Sequence, residues 1–167
     1  MKTEIILCKM VISRFAKIKV WLYFFALLIL IAGCQRNTGK REIVIYKKAI
    51  EQIKIDNKYQ WIVVLPGLGC HGCIQEAEVF MKNNIDEERI LFVLTKISSL
   101  KILQQKMDVR FDERKNIFVD REDLFAINTK NSIYPCVIQV QNGTMRSYWY
   151  QKPSYPALWN LEEQLKQ

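Results

Sequence analysis

At 167 residues, the chain suits one domain of ordinary size plus a short targeting segment. Half of its residues are apolar and a quarter are charged, which excludes a disordered chain. Five of the 25 basic residues and one of the 17 acids fall in residues 1–33, so the formal net charge of +8 drops to +4 on the remainder. Those charges are interspersed and basic runs are short, such as Gly39-Lys40-Arg41, so a solvated surface fits better than nucleic-acid binding.

Residues 1–33 read as an address. Arg14, Lys17 and Lys19 form a basic region, and Val20 to Ile31 is an uncharged run of 12 residues. A bilayer-spanning helix needs about 20 apolar residues, whereas the core of a signal peptide needs only about 7–15. The end of the run, Ile31-Ala32-Gly33-Cys34, resembles the lipobox of bacterial lipoprotein signal peptides. That resemblance implies cleavage before Cys34 and diacylglycerol attachment to its sulfur. The competing reading is a retained anchor with an incidental cysteine. Met10 is a second candidate start, and from it Cys8 would never be made. With Cys34 lipidated, residues 34–41 become a polar tether. Residues 42–167 become a domain in an extracytoplasmic space of the cell envelope, most simply the periplasm, where disulfides persist. Position 35 is not aspartate and no acidic run follows Cys34, which leaves the choice of membrane open.

Residues 42–58 fit a helix through Ile43, Tyr46, Ile50 and Ile53, although Ile43-Val44-Ile45-Tyr46 alone fits a strand; the helix is preferred. From Trp61 to Leu65 the chain is continuously apolar and β-branched, then stops at Pro66-Gly67, as a strand buried on both faces would. From Cys70 the spacing of Ile74, Ala77 and Met81 predicts an amphipathic helix of about 13 residues, ending near Asn83-Asn84. A second buried strand is expected over 89–95, and a serine-capped helix over 98–107. Residues 116–128 read as a short strand and a turn or short helix. Residues 136–150 read as a hairpin about Asn142-Gly143, a type I′ signal. Pro156 opens a last helix with Leu158, Leu161 and Leu165 on one face. Parallel strands joined by crossover helices and closed by an antiparallel hairpin predict an α/β fold, a mixed central sheet flanked by helices.

With Cys8 in the leader and Cys34 carrying lipid, Cys70, Cys73 and Cys136 remain. An odd number in an oxidising compartment points to at least one free or transient thiol. A Cys70–Cys73 disulfide closes only four residues and is worth roughly 2 kcal/mol in the chain-entropy model. So little stabilisation favours reversible chemistry over a staple. Structural zinc needs about four ligands. The chain offers one cysteine pair, one more thiol and a single histidine, His71, squeezed inside the pair. Haem attachment fails because Ile74, not histidine, follows Cys73.

Cys70-His71-Gly72-Cys73 at a strand-to-helix junction, Pro135 just before the hairpin, and the order of elements from residue 59 together resemble the thioredoxin-like superfamily. With the lipobox, the likeness is to tethered, TlpA-like thiol-disulfide oxidoreductases. The resemblance implies attack by Cys70, resolution by Cys73, and a cis bond at Tyr134-Pro135 facing the pair. It further implies protein thiols and disulfides as substrates, a redox partner to reset the pair, and no bound cofactor or metal. Physics is consistent with those roles, since a helix N-terminus favours thiolate over thiol. His71 is either a cationic neighbour of that thiolate or an exposed filler. Pro135 is either the cis-proline or merely the start of a strand. Cys136 is either a third redox thiol or a buried apolar residue. The sequence departs from the family at Gly69, where tryptophan is usual, and at Val64, where a buried acid is common. Three alternatives remain, one of them a binding protein with a vestigial cysteine pair. A copper-handling module would use Cys70, Cys73 and Cys136 as soft ligands. A peroxidase on the same fold would need threonine where Gly67 stands.

Overall fold

A computed structural model describes residues 37–166. The expected leader, the lipobox with Cys34 and the first part of the tether lie outside these residues. Among the described residues helix α1 runs over Asn37–Ile53, so it already covers part of the expected tether ahead of residue 42. Lys40 and Arg41 are good helix formers and simply carry the helix further back. From Arg41 onward the chain forms one compact unit.

The strands follow the apolar runs. Strand β1 (Trp61–Pro66) and strand β2 (Ile90–Thr95) are buried along their whole length. They pair in parallel, Trp61 beside Ile90 through Pro66 beside Thr95. Strand β3 (Ile117–Asp120) pairs in parallel with the outer side of β2. On the other side of β1, strand β4 (Cys136–Gln141) runs antiparallel and pairs in turn with β5 (Thr144–Tyr150). The order is β3-β2-β1-β4-β5, with β1 at the centre. Asn142 (φ 52°) and Gly143 (φ 68°) both take positive φ in the hairpin turn, as a type I′ turn requires.

Helices complete the layers. Helix α2 (His71–Asn83) has the expected 13 residues, and the Asn84 side chain closes it by donating to the Phe80 carbonyl at 2.9 Å. Helix α3 (Leu100–Met107) starts where Ser99 accepts from the Ile102 amide at 3.3 Å. It stops at Asp108, which is left-handed at φ 55°. A single 3₁₀ turn at Phe111–Glu113, which the sequence reading lacks, leads to β3. Helix α4 (Ala157–Leu165) closes the chain, with Leu158 and Leu161 buried. Among the described residues no helix is long and apolar enough to cross a membrane.

Side-chain alternation sorts the core into two faces. Trp61, Val63, Leu65, Ile90, Phe92 and Leu94 meet α2, α3 and α4. Ile62, Val64, Leu91, Val93, Cys136 and Ile138 face the other way, towards Tyr46, Ala49 and Ile50 of α1 and towards Phe125 and Ile127. Each fully buried side chain of this kind contributes about 1.5–3 kcal/mol from removal from water.

Phe92 has no exposed surface and its ring meets that of Phe80 at 6.4 Å. Phe92→Ala should therefore lower the unfolding free energy by about 3–5 kcal/mol in a denaturant titration.

Candidate functional site: the mouth of the central strand

Strand β1 must leave the sheet and start a helix within four residues, in a turn with no room for a side chain at two of them, Gly67 and Gly69. A Cβ on Gly67 would lie 2.1 Å from the Lys96 carbonyl oxygen. One on Gly69, whose φ is +150°, would lie 2.2 Å from the Ile133 carbonyl oxygen. Two backbone bonds fix the path: the Gly67 N–H donates to the Thr95 carbonyl and the Cys70 N–H to the Ile133 carbonyl, both at 2.9 Å.

Cys70 is then the extended N-cap residue of α2. Its carbonyl accepts from the Ile74 amide at 2.9 Å, which closes the first turn. The amides of His71, Gly72 and Cys73 have no carbonyl partner inside the helix, so the positive end of α2 lies beside the pair. Cys70 and Cys73 are joined as a disulfide, with Cα atoms 5.3 Å apart. The two sulfur-bearing residues differ in access: Cys70 is half-buried and Cys73 only 3% exposed. His71 is exposed, and its side chain makes no hydrogen bond among the described residues. Gly72 faces open space, with no atom within 4 Å of where its Cβ would stand.

Gln151, buried behind the pair, ties three segments together. Its backbone N–H donates to the Pro135 carbonyl at 2.8 Å. Its side chain donates to Glu76 of α2 and accepts from the Leu158 amide of α4 at 3.0 Å. Between those helices runs a groove of about 680 Å³ that opens at Gly72 and is walled by Val79, Phe80, Leu158 and Trp159.

One sequence expectation is corrected, and one left open is decided. No peptide bond among the described residues is cis, so Tyr134-Pro135 is trans. The Pro135 carbonyl continues the β4–β5 ladder through Gln151, so the residue behaves as the lead-in to a strand. It is Ile133, two residues earlier, whose backbone meets Cys70. Tyr134 is half-buried, with the Lys152 ammonium 5.3 Å from its ring centre. For Cys136 the structure decides for the buried apolar residue. It pairs with Val64 and points to the α1 face, whereas α2 packs on the opposite one. Burial pushes its thiol well above the ordinary value, although Tyr46 offsets part of that effect. Cys136 therefore does not join the pair as a third thiol, and the three-sulfur copper site loses a ligand. Among the described residues no cluster of three or more His, Cys, Asp or Glu is placed to hold a metal ion.

No family model matches the chain, and no curated protein matches it. The site rests on its own geometry. That geometry includes parts the sequence reading lacked: the Ile133 carbonyl, the tight seat of Gly69, and Gln151. A glycine before a cysteine pair is a weak hint of close backbone approach; the carbonyl and the glutamine carry no local signal at all.

Gly69→Ala should move the Ile133 segment and destabilise the fold by about 1–3 kcal/mol, read as a lower denaturation midpoint. In the reduced, native chain an alkylating reagent should modify Cys70 and leave Cys136 untouched until the protein is denatured, as peptide mass mapping would show.

Proposed function

We propose that this chain is a thioredoxin-like thiol-disulfide oxidoreductase, held to a bacterial envelope membrane by lipid on Cys34 and acting on protein substrates. The observation that carries the reading is a half-buried Cys70 bonded to a buried Cys73 at the start of α2, at the mouth of the central strand. The sheet order and the helix on each face are compatible with a thioredoxin-like arrangement. The lipid anchor and the envelope location rest on the Ile31-to-Cys34 resemblance alone.

The chemistry is a two-step exchange. In the reductive direction the Cys70 thiolate attacks one sulfur of a client disulfide. A Cys70–client disulfide forms, the client disulfide breaks, and the first client thiolate leaves. The Cys73 thiolate then attacks the Cys70 sulfur and expels the second client thiolate. Two electrons pass to the client and the Cys70–Cys73 disulfide remains, to be reduced by a dithiol partner. In the oxidative direction each step reverses. The free amides at the start of α2 stabilise the Cys70 thiolate, which makes it a good leaving group as well as a competent nucleophile. Cys73, enclosed by the fold, is shielded from a client and is left to meet the sulfur of Cys70. An exposed His71, when protonated, adds positive charge at the same point.

Equilibration of the purified protein with glutathione should titrate Cys70 and Cys73 together as a two-electron couple. A potential near about −270 mV marks a reductant and one near about −120 mV an oxidant. Cys70→Ser should abolish turnover of a disulfide substrate such as insulin, whereas Cys136→Ala should leave it intact. Full activity in Cys70→Ser, or a pair inert to glutathione, would overturn the reading.

A further inference from the structure

Glu42 is a carboxylate only 1% exposed, on the α1 face of the sheet away from α2. One of its oxygens accepts from Thr129 Oγ1 at 2.5 Å and from Asn131 Nδ2 at 3.0 Å, and the other from the Tyr148 hydroxyl at 3.1 Å. Burial pushes its carboxyl up, but the hydrogen bonds from Thr129, Asn131 and Tyr148, with the Tyr150 hydroxyl nearby, outweigh that and hold it below the usual range. A carboxylate buried without such donors would cost several kcal/mol.

The donors on Thr129 and Asn131 belong to the irregular segment that passes the cysteine pair. Thr129 Oγ1 also accepts from the Asn131 amide at 3.2 Å. From there the chain turns twice: the Ser132 amide donates to the Thr129 carbonyl, and the Tyr134 amide to the Asn131 carbonyl, both at 3.0 Å. These turns present the Ile133 carbonyl to the Cys70 amide at 2.9 Å. The segment between Ile127 and Cys136 is thus held at two places, by Glu42 at Thr129 and Asn131 and by Gln151 at Pro135. Ile133 lies between those anchors. A strand would hold such a segment by its ladder; this one has a single side chain from α1 in that role.

We propose that Glu42 is a positioning residue for the Cys70–Cys73 couple, acting through Thr129 and Asn131 to keep the Ile133 carbonyl on the Cys70 amide. The effect on the potential rests on the redox reading above; the positioning itself does not. With that carbonyl in place the Cys70 N–H is occupied. With the segment released, the negative end of that carbonyl leaves the neighbourhood of the Cys70 sulfur and the N–H dipole is left uncompensated beside it, which favours the thiolate, so the reduced form gains. Charge is not the essential property of residue 42. A glutamine keeps the oxygen that Thr129 and Asn131 need, and its amide group can donate to the Tyr148 hydroxyl.

The test compares the full chain with Glu42→Gln, Glu42→Leu and Thr129→Val. Amide hydrogen exchange at Cys70 is read against Val64 on the core strand, and the equilibrium with glutathione is measured in parallel. Glu42→Leu should speed Cys70 exchange about 10-fold or more relative to Val64. It should also shift the glutathione equilibrium about 3- to 10-fold towards the reduced pair. Glu42→Gln should stay close to the parent in both. A role in stability alone would speed Cys70 and Val64 together and leave the equilibrium unmoved. A folded Glu42→Leu with parental Cys70 exchange would overturn the proposal. If Glu42→Leu does not fold, Thr129→Val, which deletes one donor, should move Cys70 exchange in the same direction, and no movement overturns it. Should the parent itself fail to exchange with glutathione while Cys70 protection still answers to residue 42, the positioning stands and the redox reading falls.

Discussion

The exit of the central strand is the constraint on which the site depends. A strand buried on both faces cannot leave the sheet gradually, because its neighbours occupy every lateral position. The chain departs through Gly67 and Gly69, each pressed against another segment's backbone. Any side chain at those positions would push aside the Lys96 or the Ile133 carbonyl. The turn is therefore short: Leu68 points to solvent, and the residue after Gly69 is Cys70, already in the N-cap position. The tight turn thus delivers the first cysteine to the helix start.

The two faces of the sheet divide the work. The α2, α3 and α4 face is a nearly pure apolar core and gives the cysteine helix a rigid seat. The α1 face has the buried polar chemistry: Glu42, Tyr46, Tyr148, Tyr150 and the Cys136 thiol lie close together. Burial and the Glu42 hydrogen bond push the Tyr148 phenol up to about 12, so it stays a hydrogen-bond donor throughout the neutral range. A satisfied polar group of this kind specifies one arrangement of a loop more sharply than apolar contact does.

Much of the architecture was legible in the sequence because its causes are local. Continuous β-branched runs mark β1 and β2, the Asn142-Gly143 pair marks the hairpin, and Ser99 marks the start of α3. The two cysteines at a strand-to-helix junction were legible for the same reason. What failed to read was set by register and by distant contacts. The face taken by Cys136 follows from its pairing with Val64, which lies 72 residues earlier and has no signature in either segment. The trans bond before Pro135 has no local signal, since the same dipeptide fits a strand lead-in or a cis turn. Glu42 looks like any polar residue on an amphipathic helix until Thr129, Asn131 and Tyr148 close over it. The 3₁₀ turn at Phe111 was missed because three residues are too few to show a period.

Gly72 gives the site one further property. It lies between the two cysteines in sequence, inside the first turn of α2, and no other segment comes within 4 Å of where its Cβ would stand. A glycine there is a standing cost to the helix of roughly 1 kcal/mol relative to alanine. That vacant spot works like an unused adjustment screw. Natural variation or a protein engineer can insert bulk, charge or a ring beside the Cys70–Cys73 pair and change its surroundings while the scaffold stays as it is.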